Sequence, residues 1–233
     1  MKITSQIFSP LIHFFYPHNC LGCGSDIVAT KDFLCLDCIN DLPHTGFASE
    51  STNPVEKKFW GRIPLIAGMS EFYFSKNSII QNLIHEMKYK RNKSVGVYLG
   101  NLMGKSLQQS NRFSDVDVIV PLPLFPEKEF RRGYNQAAIL CQGIVEVFSK
   151  PVLSKNVVRV IHTETQTKKG RIERWENVEK SFGVRDDTGL GGNHILLVDD
   201  VITTGATMEA CAAEILKVEG TRLSVAALAF ATH

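Results

Sequence analysis

The run Ile195-Leu196-Leu197-Val198-Asp199-Asp200-Val201-Ile202-Thr203-Thr204-Gly205-Ala206-Thr207 constrains this chain more than any other stretch. Four apolar residues in a row suit a strand buried on both faces, as in a parallel sheet. Two carboxylates, Asp199 and Asp200, follow at its C-terminal end, where open α/β sheets bind ligands. The turn Thr203-Thr204-Gly205-Ala206-Thr207 is small and rich in hydroxyls. Met208, Cys211, Ala212, Ile215 and Leu216 then recur at helical spacing. Strand, loop and helix N-terminus in that order make an anion site. The first turn of the helix offers unpaired N–H groups and the positive end of its dipole. Gly205 lets the backbone approach closely, and the Thr hydroxyls can donate to phosphate oxygens. Carboxylates beside such a cradle suit a sugar, because they accept from vicinal hydroxyls and help hold Mg²⁺. A plainer reading has an Asp capping the next helix. It accounts for neither the second Asp nor three Thr around a Gly.

At 233 residues the chain has room for one large domain, or for one with a small appendage. Net charge of +2 confines any basic surface to local patches. Met1 to Asn19 is interrupted by Pro10, His13 and Pro17 and has no small-residue cleavage site, so no signal peptide is expected. No apolar run approaches membrane-spanning length. The expected compartment is the cytoplasm, where structural disulfides are disfavoured.

Cysteine spacing supplies the second constraint. Cys20-Leu21-Gly22-Cys23-Gly24 and Cys35-Leu36-Asp37-Cys38 are two Cys-x-x-Cys knuckles separated by a hairpin-length insert. That spacing suits tetrahedral thiolate ligation of a structural Zn²⁺. Gly22 and Gly24 ease the tight turn, and a segment of about fifty residues so poor in core formers needs a staple. Two disulfides conflict with the compartment, and a redox dithiol needs one pair. Spacing alone leaves iron–sulfur ligation open, although no longer cysteine pattern supports it. Cys141 and Cys211 fall on apolar helical positions and read as core residues.

The organisation that follows is a zinc-ribbon-like module over 1–50, a linker over 51–64 around Phe59-Trp60, and a main domain over 65–233. In the main domain Leu65 to Phe74 reads as a strand. Ile79, Ile80, Leu83, Ile84 and Met87 mark a helix with a basic end at Lys88 to Lys93. A further helix spans Val95 to Gln108, and a strand over Val116 to Val120 is ended by Pro121-Leu122-Pro123. A loop with Arg131-Arg132-Gly133-Tyr134-Asn135-Gln136 leads into a helix from Ala137 to Phe148. Val157 to Ile161 and Arg222 to Phe230 complete the strands, the last after a stop at Gly220. Strand and helix alternate, which argues an α/β fold, a mostly parallel sheet with helices on both faces. Arg131 and Arg132 can bind phosphate bidentately or serve as a plain basic surface loop. The polar stretch His162 to Val178 contains Gln166, Lys168, Lys169, Arg171 and Arg174. Loops of this length are either disordered or functional, and a lid over an anionic leaving group is the functional reading.

The acidic pair with its Thr/Gly turn resembles the loop of type I phosphoribosyltransferases that binds phosphoribosyl pyrophosphate (PRPP). In that family the loop cradles the 5-phosphate while the acids face the ribose hydroxyls. The two Cys-x-x-Cys pairs, Met87-Lys88-Tyr89, Val120-Pro121-Leu122-Pro123, Arg132-Gly133-Tyr134-Asn135-Gln136, and Gln166 with Arg174 and Asn177 widen the likeness. From about Cys20 to its C-terminus the chain is similar to the ComF family, whose phosphoribosyltransferase-like members are associated with natural competence, the uptake and handling of DNA. The resemblance implies a type I phosphoribosyltransferase fold plus an N-terminal four-cysteine zinc module ligated by Cys20, Cys23, Cys35 and Cys38. It implies that Asp199 and Asp200 form the catalytic pair, holding ribose and Mg²⁺, and that Thr203, Thr204, Gly205, Ala206 and Thr207 bind the 5-phosphate. Lys88 and Arg132 then neutralise pyrophosphate beneath the Gln166 to Arg174 lid. The implied reaction displaces pyrophosphate from the anomeric carbon, with an acceptor that no motif names. The amidotransferase label often given to such proteins is expected to fit this chain poorly, since its sequence shows neither an N-terminal nucleophilic Cys nor a glutaminase domain, while ammonia-dependent transfer stays open. The alternative is a non-catalytic, PRPP-responsive competence factor that binds single-stranded DNA. There the zinc module, Arg131, Arg132, Lys168, Lys169, Arg171 and Arg174 contact the strand, and Trp175 or Tyr134 stacks on bases. Proteins of the competence machinery are further expected partners.

Overall fold

Ile195, Leu196, Leu197 and Val198 are fully buried at the centre of a parallel sheet, as their unbroken apolar run requires. The computed structural model describes residues 19–26, 32–160 and 181–231. The expected lid residues Gln166, Lys168, Lys169, Arg171 and Arg174, together with Trp175 and Asn177, lie outside them. The strands are β1 (Gly68–Phe74), β2 (Val118–Pro121), β3 (Val157–Arg159), β4 (Phe182–Val184), β5 (His194–Ile202) and β6 (Arg222–Ala231). The helices are α1 (Leu36–Asn40), α2 (Pro54–Phe59), α3 (Ile79–Tyr89), α4 (Lys93–Gln109), α5 (Pro126–Arg132), α6 (Gln136–Phe148) and α7 (Ala206–Ile215).

Four strands form the main sheet in the order β1-β6-β5-β2, with every neighbouring pair parallel. Parallel strands need crossovers, which the intervening helices supply. The α/β class read from the sequence is the class observed. Val157–Arg159 is a strand as expected, but it pairs antiparallel with β4 in a separate two-stranded sheet, with Arg159 opposite Phe182. The three-residue β4 is too short to leave a period in the sequence. Both outer edges of the main sheet are occupied. On the β1 side Thr45 N–H donates to Glu71 O (3.0 Å) and Tyr73 N–H to Pro43 O (2.8 Å). On the β2 side Ile119 N–H donates to Pro151 O (2.8 Å) and Leu153 N–H to Ile119 O (2.9 Å). Among the described residues no helix is long and apolar enough to cross a membrane.

The 51–64 stretch, expected as a linker, instead contains α2, a helix packed into the sheet. Asn53 caps it, its Oδ1 accepting from Val55 N–H (3.0 Å) and Glu56 N–H (3.1 Å), and Pro54 fills the first helical position. The Asn53 amide also donates to Gly68 O at 2.7 Å, which ties the cap to β1. Glu56 is buried. It accepts from Gly68 N–H (3.0 Å) and Thr52 N–H (2.7 Å) and pairs with the Arg112 guanidinium. Polar residues that are buried because they are paired look like linker residues in a sequence; that is why this helix was hidden. Phe59 does dock onto the main domain, 1 % exposed.

Removing one partner of a buried ion pair leaves the other charge without compensation. Glu56→Ala is therefore expected to lower the unfolding free energy by about 3 kcal/mol, measured by urea denaturation. A loss below about 1 kcal/mol, the range of exposed pairs, would mean that α2 is not held in this way.

Candidate functional site

β5 delivers Asp199 and Asp200 to the C-terminal edge of the sheet and ends at Ile202. The chain turns through Thr203 and Thr204 and enters α7 from Gly205, whose φ of 82° lies in the left-handed region. Ala206 N–H donates to Thr204 Oγ1 at 3.4 Å, which stabilises the turn. A pocket opens here, lined by Asp199 and the unbroken run Val201 to Met208. The helix N-terminus supplies positive potential at its mouth. The turn has no room below it, because a Cβ at Gly205 would lie 3.1 Å from the Phe59 ring. Thus α2, absent from the sequence reading, packs under the Gly205 turn that lines the pocket.

The two acids are held differently. Asp200 Oδ2 pairs with Lys88 Nζ at 2.7 Å, and both side chains are largely enclosed. Lys88 comes from the last turn of α3. It faces the acid pair directly, where the sequence suggested only an anion contact. Asp199 Oδ1 accepts from Asp200 N–H at 2.7 Å. Burial and the adjoining Asp200 charge push the Asp199 carboxyl up to about 8, against the pull of that N–H, Lys88 and Arg159. One member of the pair is salt-bridged, and the other keeps a proton near neutrality.

Arg132 closes the last turn of α5 rather than lying in a loop. Its Nη1 donates to Gln136 Oε1 at 2.6 Å, while its buried Nε has no hydrogen-bond partner. Gly133 then reverses the chain, and the Tyr134 hydroxyl donates to Met87 O, beside Lys88. Asn135 Oδ1 caps α6 through Ala137 N–H (3.0 Å), and its amide donates to Leu122 O (2.9 Å). These bonds bring the Arg132 turn up to the end of α3. They also correct one expectation: Tyr134 is buried and tethered, so it cannot stack on bases. Tyr89 and Phe130 are the exposed aromatics of this region, and Arg91 Nη2 donates to Arg131 O at 3.4 Å beside them.

Sequence reasoning missed Arg159 on β3. Its guanidinium lies 3.8 Å from the centre of the Phe125 ring and 4.9 Å from that of Phe182, and it interacts electrostatically with Asp199. A lone Arg at the end of a short apolar run carries no pattern that could have found it.

The thiols of Cys20, Cys23, Cys35 and Cys38 all lie within 4.8 Å of one another. A Zn–S bond of about 2.3 Å gives a tetrahedron with edges of about 3.8 Å. The Cys23 and Cys35 sulfurs are 3.8 Å apart. Gly22 N–H and Cys35 N–H each donate to the Cys20 sulfur at 3.3 Å. Burial alone would raise the Cys20 thiol, but backbone donors from Cys23, Cys35 and Gly22 bring it down to about 6. Burial and its sulfur neighbours push Cys38 upward instead. A Cβ at Gly22 would meet the Cys38 sulfur at 2.7 Å, so the knuckle closes only around a glycine. The four residues can hold a metal ion.

No family model matches the chain. Curated relatives include Competence protein F of Haemophilus influenzae, 28% identical over 210 residues that cover 83% of this chain and 89% of that protein. DNA utilization protein YhgH of Escherichia coli is 31% identical over 138 residues, covering 58% of this chain and 60% of that protein. Competence protein ComFC of Bacillus subtilis is 37% identical over 91 residues, covering 39% of this chain and 35% of that protein. The matches to the last two thus span less than two thirds of those proteins. Among solved structures, the glutamine PRPP amidotransferase from B. subtilis aligns at a TM-score of 0.41 and 18% identity, over 57% of this chain and 26% of that chain. Trypanosoma cruzi hypoxanthine phosphoribosyltransferase aligns at 0.38 and 14%, over 59% and 66%.

The Asp199 proton makes a testable statement about stability. A carboxyl whose folded pKa is raised binds its proton more tightly folded than unfolded, so stability falls as pH climbs from the usual carboxylate range to about 8. Asp199→Asn keeps the oxygen that accepts from Asp200 N–H and removes this penalty. Its melting temperature should exceed that of the unsubstituted protein by a margin that widens between about pH 5 and about pH 9. A constant margin across that range would place the proton elsewhere.

Proposed function

We propose, from the premise that the chain belongs to the ComF family, that it binds Mg²⁺·PRPP at the Asp199–Asp200 site. On this reading it is a phosphoribosyltransferase-like protein that serves the handling of incoming DNA. The observation that carries the proposal is the placing of Asp199, next to the Lys88-paired Asp200, in the lining of a helix-terminal pocket whose Gly205 turn packs on Phe59. Its parts match a phosphorylated sugar group by group. Main-chain N–H groups from Gly205 to Thr207 and the Thr hydroxyls take the 5-phosphate. Asp199 and Asp200 accept from the ribose hydroxyls. Their hard oxygens suit Mg²⁺, which they would hold and which would share the charge of the diphosphate. Lys88 and Arg132 meet the diphosphate from α3 and α5. Asp199 gives up its proton when a cationic ligand arrives, because the ionised form is then favoured.

As a catalyst the protein would present the anomeric carbon to a nucleophile and hold the departing pyrophosphate. Assay of pyrophosphate release from Mg²⁺·PRPP, across a panel of amines and bases, tests this step. PRPP binding without release under any acceptor would favour the second reading, a PRPP-responsive binder of single-stranded DNA. The exposed Tyr89 and Phe130 beside Lys90, Arg91 and Arg131 favour that reading, since aromatic platforms among basic residues suit unpaired bases.

Asp200→Asn should weaken Mg²⁺·PRPP binding at least about tenfold, or about 1.4 kcal/mol, in a folded protein. Unchanged affinity by calorimetry would refute the assignment of this acid to ribose and metal. The four-cysteine cluster holds a structural Zn²⁺ on the same proposal. Metal analysis after purification under reducing conditions should find about one Zn²⁺ per chain, and Cys35→Ser should lose the ion and unfold the knuckle. A metal-free, fully folded protein would sink that assignment.

A further inference from the structure

Arg159 is held as few surface arginines are. Its guanidinium lies against the Phe125 ring at 3.8 Å and the Phe182 ring at 4.9 Å. Strand register fixes the second contact, because Arg159 and Phe182 are directly paired across β3 and β4. The first joins β3 to the residue that precedes α5, the helix carrying Arg132. Two aromatic faces hold a planar cation in one orientation and leave its N–H edges free. The Nε–H is buried and makes no hydrogen bond. A buried donor without a partner costs free energy, and a ligand acceptor can remove that cost.

The position of this cation indicates what the acceptor is. The Phe125 ring it stacks on follows β2, whose Pro121 is in register with Val198, so the contact sets Arg159 at the sheet edge that carries Asp199, its leading charge partner. β4 also packs against α7, the helix that begins at Ala206. Lys88 is already paired with Asp200 at 2.7 Å. Arg159 makes no such salt bridge among the described residues, and its fork geometry suits two phosphoryl oxygens at once. A monophosphate seated at the α7 N-terminus is satisfied by the main chain there and has no need of a second fixed cation.

The geometry points to Arg159 as the residue that distinguishes a diphosphorylated sugar from a monophosphorylated one, an assignment that rests on the sugar-phosphate reading of the site. Burial lowers the pKa of the guanidinium from its ordinary value, yet an arginine remains charged at any working pH. The discrimination is therefore a standing property of the fold.

Calorimetric titration of the full chain with two probes tests the assignment: PRPP and ribose 5-phosphate, each with Mg²⁺. Arg159→Met, which keeps an apolar stem between the two rings, should cut PRPP affinity at least about tenfold and leave ribose 5-phosphate within about twofold. Should that variant fail to fold, Arg159→Lys is compared in the same way. Its ammonium cannot grip two oxygens, so PRPP affinity should again fall selectively. Equal losses for both probes would show that Arg159 acts through the acid pair, and no loss for either would show that it does not touch the ligand. Either result overturns the assignment. If the unsubstituted protein binds neither probe, the sugar-phosphate reading itself fails and takes this inference with it.

Discussion

Two carboxylates on neighbouring residues at the closed end of a strand impose a condition that the surrounding structure must meet. Both cannot stay ionised and unpaired in so little water. The fold answers with Lys88, brought in on the last turn of α3, and with an environment whose burial and adjoining Asp200 charge favour the protonated form of Asp199. Much of the remaining architecture serves to keep that lysine in place. The Tyr134 hydroxyl grips the carbonyl of Met87, the residue next to it, and Tyr134 is in turn aimed by the left-handed Gly133 and the capping Asn135. The Arg132 turn is therefore coupled to the Lys88 helix through the Tyr134 hydroxyl on Met87 O, while the Arg132 guanidinium donates to Gln136.

A second set of contacts reaches the site from the N-terminal part of the chain. Phe59 lies under Gly205, and the helix that presents it is pinned to β1 by Asn53 and Glu56. Arg62, just beyond, pairs with Glu209 in the first turn of α7 at 3.1 Å. The cysteine knuckle touches the other side of the same machinery. Asn82 of α3 donates to Gly22 O at 3.4 Å, on the helix that ends with Lys88. The residues before β1 thus brace both α7 and α3, and one hydrophobic core runs from Cys20 to Phe230.

What the sequence revealed and concealed follows from the kind of interaction each element uses. β5 with its acids and α7 were legible because a buried strand and a helix N-terminus each leave a strong local pattern. The four cysteines were legible because ligation needs particular atoms at particular spacing. α2 was concealed because Asn53 and Glu56 are buried through long-range partners, at Gly68 and Arg112. Arg159 was concealed for the same reason: the rings that orient it come from Phe125 and Phe182, far from it along the chain. Tyr134 was misjudged because an aromatic residue beside arginines suggests a stacking surface, whereas its hydroxyl had an internal acceptor. The pairing of Lys88 with Asp200 also depends on tertiary approach alone.

The occupied sheet edges bear on how this protein can assemble. Oligomers and fibres commonly grow by adding a strand to an exposed edge. Here Glu71 and Tyr73 of β1 already bond to residues of the N-terminal segment, and Gly68 N–H and O are taken by the side chains of Glu56 and Asn53. Ile119 of β2 is likewise bonded on both its N–H and its carbonyl by the Pro151 to Leu153 segment. At these positions the main sheet has no vacant register for a neighbour to extend. At these positions a second copy would have to meet the main sheet through helix faces and loops. Its contacts would then be made by side chains, which sequence divergence can retune without disturbing the sheet.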